Sequence, residues 1–97
     1  MKALRIAIAA AAVVAWHQPL LAASDPPPGA TSCSGCHSPA ATNAAIPRLN
    51  GRDAADIAKA MAGFRDGSLP ATVMNRIAKG FTDEESRAIA AWLAAQK

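Results

Sequence analysis

Histidine, cysteine and aromatic residues are scarce in this chain of 97 residues, and each shortage narrows what it can do. There are two cysteines, two histidines, two tryptophans and two phenylalanines, and no tyrosine. A chain this short and this poor in aromatics rarely builds an adequate core from side chains alone. Alternating strand patterns and internal repeats are absent. A dithiol of the thioredoxin kind needs a βαβ scaffold, which this pattern does not offer. The longest apolar run, Ile6 to Trp16, is about eleven residues, well short of the roughly 20 that span a bilayer.

That run reads as the centre of a targeting segment. Lys2 and Arg5 precede it, Gln18-Pro19 breaks its helix, and Leu21-Ala22-Ala23-Ser24 offers small residues to a signal peptidase. Cleavage after Ala23 makes residues 1–23 a signal peptide, with an uncleaved anchor as the alternative. The mature chain then has no membrane span, and export places it in the periplasm. Trp16 and His17 leave with the leader. The net charge of +3 and pI near 9.3 overstate how basic the mature protein is. Without Lys2 and Arg5 eight basic residues face seven acidic ones, a charge near +1. Nothing points to nucleic-acid binding.

What remains is concentrated in Cys33-Ser34-Gly35-Cys36-His37. The spacing reads as covalent attachment of a c-type haem. Two cysteines three apart lie on nearly the same side of a helical turn, and the next residue points elsewhere. Each thiol can add across one vinyl group, while His37 sits beneath the iron as its proximal ligand. One motif implies one haem, which would supply the apolar bulk that the chain lacks. Three other uses remain open. A zinc site wants about four ligands, and the mature chain is one Cys or His short of that. A redox dithiol lacks its scaffold. A local disulfide would close too short a loop to add much stability.

The rest of the sequence predicts a small all-α domain of three to four helices. Residues 24–30, with Pro26-Pro27-Pro28, form an extended linker, and residues 31–97 form the domain. Thr31 or Ser32 starts a short helix that carries the motif, and Pro39 ends it. Ala40 to Asn50 is a loop with an extended Ile46-Pro47, closed by a turn at Asn50-Gly51. Asp53 caps a helix with Ile57, Met61 and Phe64 on its inner face, stopped at Gly67. A short helix covers Asn75 to Lys79. Thr82 to Glu85 forms a capping box for the last helix, whose inner face is Ala88, Ile89, Trp92 and Leu93.

The mature chain has no second histidine for the far face of an iron. Its methionines are Met61 and Met74. Met61 lies on a helical stripe, where methionine usually fills a core. Met74 follows a proline-containing loop that can carry a thioether over a porphyrin. Met74 is therefore the expected sixth ligand, with Met61, an open site or water as alternatives. Met/His ligation raises the reduction potential and fills the position that a substrate would need. Such a chain moves electrons and is not an enzyme by itself.

The motif, Ile46-Pro47-Arg48-Leu49-Asn50-Gly51 and the stretch from Met74 to Leu93 together resemble a class I cytochrome c. Phe64 to Pro70 running into Ala71 to Glu85 resembles the cytochrome subunits of flavocytochrome c sulfide dehydrogenase. The resemblance implies thioethers at Cys33 and Cys36, axial ligands His37 and Met74, and a hydrogen bond from the His37 ring to the Pro47 carbonyl. The proline linker leaves less room for the N-terminal helix usual in that family. The family also implies a partner subunit that carries FAD and oxidises sulfide, with this haem c passing the electrons to a soluble acceptor. A free monohaem shuttle serving an oxidase or reductase is the alternative. An open-iron enzyme or gas sensor is a third reading. Arg48, Arg52, Arg76 and Lys79 stay unassigned.

Overall fold

The computed structural model describes residues 25–97; the leader read over 1–23 and its cleavage position lie outside the described residues. Among the described residues there is a 3₁₀ helix, Ala30–Gly35, followed by α1 (Ala54–Asp66), α2 (Met74–Ala78) and α3 (Asp83–Ala94), and no strand. This is the small all-α arrangement that the sequence predicts. Ala30, assigned by sequence to the linker, opens the 3₁₀ helix and is buried in the core.

α1 starts where the sequence provides a cap. The Asp53 carboxylate accepts the Asp56 N–H at 3.0 Å, filling one of the donors that a helix start leaves open. α1 stops at Gly67, whose φ of 84° lies in the left-handed region that favours glycine. The chain then turns back on α1. Ser68 N–H donates to Asp66 Oδ1 at 2.8 Å, and Leu69 N–H donates to the Gly63 carbonyl at 3.0 Å. A β-carbon at position 63 would meet Leu69 Cβ at 3.0 Å, so this return is tight. It sets the path of the loop that leads to Met74.

α3 opens on a reciprocal cap. Glu85 N–H donates to Thr82 Oγ1 at 3.1 Å, and Thr82 N–H donates to Glu85 Oε2 at 2.8 Å. Ser86, Ile89, Ala90 and Leu93 are its buried residues, spaced i, i+3, i+4, i+7. The pattern read from the sequence put Ala88 on this face, but Ala88 is exposed and Trp92 is half-buried. Packing decides the phase: small Ser86 and Ala90 turn toward α1, whose Ala54 and Ala58 lie against the core. An exposed ion pair, Arg65 Nη1 to Asp83 Oδ1 at 2.9 Å, joins the end of α1 to the start of α3.

The core itself is small: a cluster of Ala30, Ile57, Ile89, Ala90 and Leu93, with Ala78 buried apart from it. Among the described residues no large side chain is completely buried. Three aliphatic side chains of any size are little to hold a domain. The helices close around an opening instead of filling their interior.

Candidate functional site

The motif winds in a single turn. The Cys33 carbonyl accepts the Cys36 N–H at 3.3 Å and the His37 N–H at 2.8 Å. The turn is anchored from behind by Gly29, at φ 86°. The Gly29 carbonyl accepts the Ser32 N–H at 3.2 Å and the Ser32 hydroxyl at 2.6 Å, and the Cys33 thiol lies 3.8 Å from it. The Phe81 ring stands directly behind Gly29: a β-carbon there would come within 2.7 Å of Phe81 Cε1. In the sequence Gly29 reads only as part of a proline linker. Its role depends on a ring 52 positions away in the chain, which no local pattern reveals.

Beside this turn opens an apolar cavity of about 400 Å³, within the roughly 300–1,000 Å³ typical of cofactor pockets. Cys33, Cys36 and His37 form one part of its lining. The core residues Ile57, Ile89 and Leu93 form another, and Leu49, Ile77 and Phe81 extend the apolar wall. Met61 and Met74 both line it as well. A depression lined by Arg65, Asp66 and Asp83 is more open to solvent.

His37 is held in a defined orientation. Its Nδ1 lies 2.6 Å from the Pro47 carbonyl oxygen. A carbonyl can only accept, so Nδ1 carries the proton of the neutral ring. Nε2 is left with the free lone pair that a metal needs. Pro47 thus contributes through its backbone oxygen.

The thiols differ. Both are free; Cys33 is half-buried and Cys36 exposed. Burial pushes the Cys33 thiol pKa above its ordinary value, against a smaller lowering by a backbone hydrogen bond. Among the described residues no group of three His, Cys, Asp or Glu side chains converges as a metal site.

The two methionines sit differently from the expectation. Met74 is the first residue of α2, one position before the Asn75 start that the sequence predicts. Met61 lines the cavity and is not among the side chains packed against the core cluster. The stripe it shares with Ile57 faces the cavity as much as the core.

No protein-family model matches the chain. Over 61% of its length it is 42% identical to the cytochrome subunit of sulfide dehydrogenase of Chlorobaculum tepidum. Over 70% of its length it is 37% identical to a thiosulfate dehydrogenase electron acceptor of Thiomonas intermedia. By sequence the chain resembles a c-type cytochrome subunit. The matched stretches are 54% of the first relative and 34% of the second, so the chain spans only part of each.

The likeness implies haem, and the residues present fit one. The cavity is apolar, two thiols border it, an imidazole with an available Nε2 lines it, and two thioethers complete the set of donors. That donor set suits iron in a porphyrin.

Proposed function

We propose that this chain is an exported electron-transfer cytochrome carrying one covalently attached haem c. When bound, haem iron with an imidazole and a thioether exchanges single electrons, and the thioether favours the ferrous state. Cys33 and Cys36 would hold the porphyrin through thioether bonds, and His37 Nε2 and Met74 Sδ would ligate its iron. The Pro47 carbonyl fixes the His37 tautomer and ring plane. Ile57, Ile77, Phe81, Ile89 and Leu93 keep water from the cavity and so set the polarity around the redox centre. The observation that carries this reading is the convergence of both thiols, the oriented imidazole and a thioether on one apolar cavity.

The donor we propose is the FAD-bearing, sulfide-oxidising subunit of a flavocytochrome c sulfide dehydrogenase, with a soluble acceptor downstream in the periplasm. The bond chemistry then belongs to the partner, and this chain only relays electrons. The named function of the Chlorobaculum relative supports that donor. The Thiomonas relative, named as an electron acceptor of thiosulfate dehydrogenase, favours a second reading in which the donor is that enzyme. A free shuttle differs from both in having no lasting partner.

Native protein purified from periplasm separates these readings. A flavoprotein that co-elutes and reduces the haem on addition of sulfide supports the first. Reduction by thiosulfate and not by sulfide, through a partner that co-elutes, overturns it in favour of the second. A lone small species on gel filtration favours the shuttle.

A further inference from the structure

We propose that Met61 is a second thioether donor of the cavity, which takes the position opposite His37 whenever Met74 is withdrawn. The inference rests on the haem reading above. It concerns a residue that this reading leaves without a role.

Three observations carry it. First, Met61 and Met74 line the same cavity from two helices that pack on each other. They and His37 are the only methionine and histidine side chains among the described residues. Second, Met61 is half-buried yet absent from the side chains packed on the core cluster. A methionine that fills a gap lies among packed hydrophobic neighbours; this one presents its side chain to the cavity.

Third, the two sulfurs ride on elements of unequal strength. α2 has five residues, and its N-cap, Val73, makes no side-chain hydrogen bond. Val73 is 57% exposed and Ile77 42% exposed, so the segment is held down mainly by its one buried residue, Ala78. Helices below roughly 12 residues are marginal on their own, and segments of this kind open locally well before the whole domain does. α1 has 13 residues, a side-chain cap at Asp53 and a left-handed glycine at its end. Met74 therefore sits on the part most ready to leave, and Met61 on the part that stays. The exchange breaks a bond to Met74 Sδ and forms one to Met61 Sδ. No electron or proton moves, and a sulfur remains where a diatomic gas would otherwise bind.

The test uses the holoprotein and three variants, Met61→Leu, Met74→Leu and the double variant. Leucine for methionine nearly conserves volume. Two readings are taken: the near-infrared sulfur-to-iron charge-transfer absorption of the ferric protein, and carbon monoxide binding by the ferrous protein. The expected result is a band in the wild type and in each single variant, shifted in Met74→Leu, and lost only in the double variant. Carbon monoxide should bind readily only to the double variant. Loss of the band in Met74→Leu, with carbon monoxide binding equal to that of the double variant, overturns the proposal and leaves the haem reading intact. Loss of the band in Met61→Leu alone overturns it too, because Met61 is then the resting ligand. A wild type without covalent haem removes the haem reading and this proposal with it.

Should Met74→Leu fail to fold, denaturant titration of the wild type and Met61→Leu replaces it. The band should outlast the first loss of helical circular dichroism in the wild type and vanish with it in Met61→Leu. Coincident loss in both proteins overturns the proposal.

Discussion

Replacing Gly29 with alanine tests whether the turn bearing the thiols is held against the Phe81 ring. Two costs add. At φ 86° an alanine sits in the left-handed region, at about 1–2 kcal/mol. Its β-carbon also lies 2.7 Å from Phe81 Cε1 and 3.0 Å from Cζ, so the ring or the turn must shift. Overpacking of this kind costs about 1–3 kcal/mol. Phe81 borders the cavity, so the ring's escape is into the space assigned to the haem. Gly67→Ala provides the control. Its φ of 84° is nearly the same, but nothing lies within 4 Å of the added carbon. The difference between the two variants isolates the clash, at about 1–3 kcal/mol. In a domain of this size each kcal/mol moves Tm by roughly 4–8 °C. Thermal unfolding of both holoproteins should therefore place Gly29→Ala at least about 4 °C below Gly67→Ala. The yield of covalent haem should fall for Gly29→Ala alone, since the Gly29 carbonyl anchors the turn that presents Cys33. Equal Tm values and equal haem yields would refute the reasoning.

Further outcomes follow from the same contacts. Thr82→Ala removes one half of the α3 cap and should cost about 1 kcal/mol in denaturant unfolding, within a range of roughly 0.5–2. Arg65→Ala breaks only an exposed ion pair and should cost under about 1 kcal/mol, with the loss shrinking further in high salt. His37→Ala removes the oriented Nε2 donor, and haem per chain, read from the absorbance ratio of haem to protein, should drop sharply. In the haem-free chain iodoacetamide should label Cys36 before Cys33, followed by peptide mass spectrometry, because the raised Cys33 pKa lowers its thiolate fraction. That raised pKa stabilises the apo fold below the thiol's unfolded pKa. The contribution is lost as pH rises through the folded value, so apo stability should fall in the alkaline range.

The parts of this molecule legible in its sequence are those written in local chemistry. Asp53 and the Thr82–Glu85 box mark helix starts through bonds made within four residues, and Gly67 marks a helix end through its own backbone conformation. The cysteine spacing is legible for the same reason. The face of α3 was less so. Alanine carries no preference for inside or outside, and Ser86 looks like a surface residue until its neighbour across the interface is known. Gly29 was hidden more deeply, because its role depends on Phe81. Met61 was legible as an alternative sixth ligand, but its place on the lining depends on a cavity that exists only once three helices and the motif turn have come together. α2 begins one residue earlier than the sequence predicts, at Met74 itself.

The most direct measurement is the intact mass of the purified protein under denaturing conditions, followed by the mass of the peptide spanning Cys33 to His37. The expected result is a chain heavier by one haem, with the added mass retained on that peptide after acid–acetone extraction. A chain at its bare polypeptide mass, with colour released into the solvent or no colour at all, would contradict the account.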